Sequence, residues 1–175
     1  MYASLLNQQE PYLNNTSTTS TYVTSFGSKN APNKIDIFYG IECGFSREFL
    51  QQDFKILLEE FTLKGKAFIQ LYPAALDPTT ITFAEMIYTS SPHGRRKMFM
   101  QLCNDNSYYH RLFSKASIKK PSEKVFFDVA KILEENESIS ETLMIKVNGT
   151  LLMNVPSTYA LEEVLQVKSA VVLAS

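Results

Sequence analysis

Residues 34–54 read KIDIFYGIECGFSREFLQQDF, and the change of texture at Cys43 decides the fold. Before it, KIDIFYG (34–40) is short, β-branched and aromatic and stops at a glycine, the pattern of a buried strand. After it, Phe49, Leu50, Phe54, Leu57, Leu58 and Phe61 recur at three- and four-residue spacings. They predict an amphipathic helix from Phe45, closed at Gly65. KAFIQLY (66–72) then alternates and ends at Pro73, a second strand. Strand, helix and strand on short connections make a βαβ unit with a parallel pair.

Working outward, the middle of the chain is helical. Residues 80–90 and 94–104 are short amphipathic segments broken at SSPHG, and 106–116 is another. Pro121 opens PSEKVFFDVAKILEE, whose Val125, Val129, Ile132 and Leu133 share a face. TLMIKV (142–147) and TLLMN (150–154) are strands joined by Asn148-Gly149, a strong two-residue hairpin signal. A last helix follows, with Ser157 or Thr158 as cap and Leu161, Val164 and Leu165 as its buried stripe. Upstream, residues 14–30 are rich in Ser, Thr and Asn, so residues 1–30 are expected to be a polar arm or linker. The order β-α-β, helices, β-β-α fits one α/β domain over 31–175, with a helical insertion at about 78–137.

Composition narrows the classes. The net charge of −1 makes no electrostatic case for nucleic acid, and no apolar run reaches a membrane span. The opening MYASLLNQQEPYLNN has neither the basic segment nor the apolar core of an export signal, so by itself it reads as a cytoplasmic start. Two cysteines, Cys43 and Cys103, are too few for a disulfide framework. His93 and His110 have no metal-ligand spacing to another Cys or His, and no metal site is expected. Asp36 reads as a strand-edge polar residue, and HGRRK (93–97) as a solvated helix start.

The element order, with GSKNAPNKIDIFYGIECGFSREF (27–49) at one end and MIKVNGTLLMN (144–154) at the other, resembles the DsbA-type thiol–disulfide oxidoreductases. The resemblance spans roughly residues 27–168. It implies a thioredoxin-like fold with an inserted helical subdomain, in the periplasm or cell envelope. It further implies partners that are cysteine-containing or partly folded proteins. Two departures bear on activity. The family's Cys-x-x-Cys motif ends here in Ser46, and Leu143, after Thr142, stands where the family has a cis-proline. CGFS is also the motif of monothiol glutaredoxins, which hold an iron–sulfur cluster with glutathione.

The chemistry expected at Cys43 follows from its place. A thiolate at a helix N-terminus faces unpaired N–H groups and the positive end of the dipole, which lower its pKa. Ser46, one turn on, is placed to donate a hydrogen bond to the sulfur; Glu42 opposes ionisation and Arg47 offsets it. One thiol can attack a disulfide but cannot resolve the mixed disulfide it forms. Glutathione, a substrate cysteine or Cys103 must do so, and the resemblance, which lays the insertion over the site, leaves a Cys43–Cys103 disulfide open. Cys43 and Ser46 are the candidate catalytic residues, with Gly44, Phe45, Thr142 and Leu143 facing the substrate. No resident cofactor is expected beyond glutathione as a thiol co-substrate. Three readings stay open: a one-cysteine exchange enzyme or isomerase, a non-catalytic interaction or chaperone-like module, and a glutaredoxin-like cluster or glutathione binder.

Overall fold

The computed structural model describes residues 22–118, 122–136, 143–152, 161 and 163–165. Its centre is one mixed five-stranded sheet in the order β1-β3-β2-β4-β5. The strands are β1 (Thr24–Phe26), β2 (Asn33–Tyr39), β3 (Ala67–Pro73), β4 (Leu143–Val147) and β5 (Thr150–Leu152). β2 and β3 run parallel, with Ile35 opposite Ile69 and Tyr39 opposite Pro73. β4 lies antiparallel on the other side of β2, with Tyr39 opposite Leu143. The Asn148-Gly149 hairpin has φ values of 51° and 82°, the left-handed pair that a type I′ turn demands. Asn148 also ties the hairpin to β2: Lys34 N–H donates to its Oδ1 at 2.8 Å, and its own N–H donates to the Lys34 carbonyl at 2.8 Å.

The helix predicted from Phe45 is α1 (Gly44–Leu57), and it widens into a π turn over Leu58–Thr62. Lys66 N–H closes that turn onto the Phe61 carbonyl at 2.8 Å, and Gly65 takes φ +68°. Phe49, Phe54, Leu57 and Phe61 pack on the Ile35, Ile37 and Tyr39 face of the sheet. Leu161 and Leu165 are buried on the same face. The opposite face, with Phe38 and Met144, packs against Val125, Val129 and Ile132 of α5 (Glu123–Glu134).

Between β3 and α5 run α2 (Pro78–Tyr88), α3 (Pro92–Asn104) and α4 (Asn106–Ile118). α2 begins two residues before the predicted helix. Asp77 caps it, its Oδ1 accepting from Thr80 N–H at 2.7 Å, with Pro78 in the first turn. Such a cap stabilises by about 1 kcal/mol. Phe83 of α2 and Phe99 of α3 lie 5.1 Å apart, edge to face, and both meet Tyr39 at the end of β2, at 6.3 and 5.2 Å. Each such pair adds roughly 0.5–1.5 kcal/mol beyond its burial, which fastens the helices to the strand end that carries the site.

Two expectations are corrected here. The arm expected over residues 1–30 does not extend that far: Tyr22 is fully buried and Thr24–Phe26 pairs antiparallel with β3. The tract holds Val23, Thr24 and Phe26, good strand formers, among the Ser and Thr that suggested a linker. The basic cluster HGRRK is not wholly solvated either. Arg96 is 2 % exposed and donates through Nε to the Ser25 carbonyl at 2.9 Å, while Arg95 reaches the Val23 carbonyl at 3.3 Å. Two arginines of α3 thus satisfy carbonyls along the edge strand β1. The predicted caps Ser157 and Thr158 lie outside the described residues.

Candidate active site

The site forms where β2 ends and α1 begins. Cys43 N–H donates to the Gly40 carbonyl at 3.2 Å, turning the chain. Cys43 is the N-cap of α1, with φ −72° and ψ 125°, and its carbonyl accepts from Arg47 N–H at 3.0 Å. Its side chain makes no capping bond, and the residue is half-buried. The cysteine therefore sits at the positive end of a 14-residue helix.

Ser46 behaves differently from its neighbour. It is 0 % exposed, and its Oγ accepts from Gly40 N–H at 3.2 Å. The hydroxyl binds the end of β2 to the first turn of α1. Gly44 and Phe45 are exposed, Phe45 by 72 %. With Arg47, Glu48, Gln51 and Gln52 they line an open concavity of about 470 Å³ along the first turns of α1.

The other side of the site comes from residues that sequence reasoning did not single out. Thr79 donates through Oγ1 to Glu42 Oε1 at 2.6 Å. Ile41 N–H donates to Thr80 Oγ1 at 2.7 Å, and that hydroxyl donates to Asp77 Oδ2 at 2.6 Å. The segment 77–80 thus clamps residues 41 and 42 in front of Cys43. Burial pushes the Asp77 carboxyl above its ordinary range; Thr80 draws it back and the Glu42 charge pushes it up. Asp-Pro before Thr-Thr is a helix-start signal that marks this cap in the sequence. From α4, Tyr109 comes up beneath Arg47, whose guanidinium carbon lies 5.6 Å from the ring centre, and packs on Phe113 at 5.0 Å. No local pattern at Tyr109 announces that contact.

Two expected site features are placed elsewhere, and Asp36 is not where its sequence reading puts it. Leu143 does not form a rim facing substrate; it is 8 % exposed and joins the core, because its register with Tyr39 turns it to the α1 face. Thr142 lies outside the described residues. The open Cys43–Cys103 pairing is not formed: neither cysteine is in a disulfide, and Cys103 is buried in α3, where burial pushes its thiol far above the usual range. That thiol is poorly suited to resolve a mixed disulfide. Asp36 is not at a sheet edge. It lies in β2 between β3 and β4, on the face away from Cys43, paired with Lys34 at 3.1 Å. Among the described residues no group of His, Cys, Asp and Glu is arranged to hold a metal, and no peptide bond is cis. Among them, too, no helix is long and apolar enough to cross a membrane.

No protein-family model and no curated protein matches the sequence. Solved structures do match in fold. The α-DsbA1 of Wolbachia pipientis aligns with a TM-score of 0.68 at 12% identity, over 94% of this chain and 96% of that one. DsbA of Chlamydia trachomatis gives 0.61 at 16% identity, over 94% and 98%. A protein-disulfide isomerase of Novosphingobium aromaticivorans gives 0.60 at 15% identity, over 83% and 96%. The chain therefore has the thioredoxin-like fold with a helical insertion that characterises DsbA-type thiol–disulfide oxidoreductases.

Proposed function

We propose that the protein carries out thiol–disulfide exchange or isomerisation through Cys43 alone, on cysteine-containing or partly folded proteins of the cell envelope. The observation that carries this reading is the contrast in exposure at the head of α1. Cys43 is partly exposed, and Ser46, three residues on, is fully buried. That is the arrangement of an attacking sulfur with its second position buried. The fold likeness supports it, and so does the exposed Phe45 beside the sulfur, an apolar surface for an extended polypeptide.

The steps balance with one thiol. The Cys43 thiolate attacks one sulfur of a client disulfide; an S–S bond forms, the client's S–S bond breaks, and the departing sulfur leaves as a thiolate that takes up a proton. A second thiol must then attack the mixed disulfide and release Cys43. If it belongs to the client, the result is isomerisation with no net electron transfer. If it is glutathione, two glutathione molecules are oxidised to one disulfide as the client disulfide becomes two thiols. An oxidising envelope compartment would keep such clients supplied.

The test is the pH dependence of Cys43 alkylation in a Cys103→Ala background, with Cys43→Ser as blank. An active site gives a midpoint well below the free-thiol value of roughly 8.5. It also gives Cys43-dependent refolding of a protein with scrambled disulfides. A midpoint at the free-thiol value with no refolding activity would instead identify a fold kept for binding.

A further inference from the structure

Ile41 and Glu42 are the central residues of a turn that Cys43 N–H closes onto the Gly40 carbonyl at 3.2 Å, and this turn delivers Cys43 to the head of α1. Ser46 Oγ holds the same turn from the helix side, accepting from Gly40 N–H, also at 3.2 Å. Both bonds are longer than the common length of about 2.9–3.0 Å. The tight bond comes from the helical insertion: Ile41 N–H donates to Thr80 Oγ1 at 2.7 Å. Ile41 and Thr80 are both fully buried, so solvent offers that N–H no substitute. The direction of the hydroxyl is fixed as well. A backbone N–H only donates and an ionised carboxylate only accepts. With Ile41 N at 2.7 Å and Asp77 Oδ2 at 2.6 Å, Thr80 turns a lone pair to the first and its single proton to the second. Asp77 Oδ1, accepting from Thr80 N–H at 2.7 Å, locks the threonine from another side.

We propose that Thr80 is a positioning residue for Cys43: its hydroxyl, with the proton committed to Asp77, holds the turn over residues 40–43 and so keeps the thiol at the N-terminus of α1. This rests on the reading of Cys43 as the attacking thiol. An anion there faces the unpaired N–H groups of the first turn, and a turn that drifts takes the sulfur off them.

Thr80→Val keeps the shape of the side chain and removes the oxygen, and Thr80→Ser restores it. Thr82→Val is the matched control: that hydroxyl is also buried in α2, donating to the Pro78 carbonyl at 2.7 Å, within its own helix. All are made in the Cys103→Ala background, and Cys43 alkylation is followed against pH. Glu42, Arg47, Glu48, Asp77 and Tyr109 are present in every variant, so their charges are common to all. Thr80→Val should raise the midpoint by about 0.5–1 pH unit, the scale of a charge at a helix terminus, with Thr80→Ser and Thr82→Val at the wild-type value. A low wild-type midpoint that Thr80→Val does not move overturns the role of Thr80 and leaves the proposed function standing. An equal shift in Thr82→Val or in Thr80→Ser also overturns it, because the hydroxyl at 80 would not be the cause. A wild-type midpoint at the free-thiol value, unmoved by any change, overturns both readings. Should Thr80→Val not fold, the unmutated turn gives the answer. By linkage, thiolate formation tightens the turn by the factor by which the turn favours the thiolate. Protection of the Ile41 amide against hydrogen exchange should then rise roughly 3- to 10-fold as pH passes the Cys43 midpoint, and not in Cys43→Ser. A flat profile in both proteins overturns the role of Thr80.

Discussion

Ser46→Cys should convert Cys43 from a thiol that can only be capped into one half of an internal disulfide. Cys43 is the N-cap of α1 and Ser46 is the third residue of the helix, the pair of positions that capping interactions bridge. Residues three apart on a helix have Cβ atoms roughly 5–6 Å apart, and a disulfide needs about 3.5–4.5 Å. The extended backbone of Cys43, with ψ 125°, lies outside the helical spiral and supplies the remaining closure. The substitution has a cost. Ser46 Oγ accepts from Gly40 N–H in a buried position, and a thiol is a weak acceptor. Losing that bond should destabilise the reduced variant by about 1–3 kcal/mol, or roughly 2–12 °C in Tm for a chain of this size. The assay is incubation with oxidised glutathione, an acid quench and intact-mass measurement, with Cys103→Ala in both proteins. The single-cysteine protein should stop at one glutathionyl adduct. Ser46→Cys should lose the adduct and appear two hydrogens lighter. A stable adduct on Ser46→Cys, with no internal disulfide, would refute the geometry argued for the head of α1.

Two further outcomes follow from the fold. Gly27 has φ +95°, and a Cβ there would lie 2.7 Å from the Ala67 carbonyl oxygen and 3.0 Å from Thr62 Cγ2. Gly27→Ala should cost about 2–3 kcal/mol and lower Tm by roughly 4–12 °C; an unchanged melting curve would sink the claim that β1 docks closely on β3. For Asp36, burial raises the folded-state pKa above the ordinary 3.8, with Lys34 only partly offsetting it. Between those two values the folded state holds a proton that the unfolded chain has released, so stability falls as pH rises. Asp36→Asn should remove that part of the decline, giving a flatter stability curve than wild type from about pH 4 upward, as read by urea unfolding at several pH values. Parallel curves would show that Asp36 is not desolvated.

Much of the fold is legible in local pattern. The KIDIFYG strand, the apolar spacing from Phe49 to Phe61 and the Asn148-Gly149 turn each follow from a short-range rule, and each appears where that rule puts it. β1 was not legible, because Thr24 and Ser25 are polar by composition and become strand residues only through pairing with β3. Arg96 escapes local pattern for the same reason: its burial depends on the Ser25 carbonyl, 71 positions away.

The site divides along the same line. Sequence alone determined that a cysteine stands at a strand-to-helix junction and that no second cysteine follows one turn later, so that any exchange there would have one sulfur to use. Those are properties of neighbouring residues, set by helix period and backbone polarity. Only the tertiary structure decided that Ser46 is sealed against Gly40, that Leu143 belongs to the core, that Thr79 and Thr80 hold Glu42 and Ile41, and that Tyr109 lies under Arg47. Their contacts join residues tens of positions apart, and the free energy that brings them together comes from burying the aromatic core at Tyr39, Phe83 and Phe99. A pattern read along the chain has no access to a contact made by the packing of the whole.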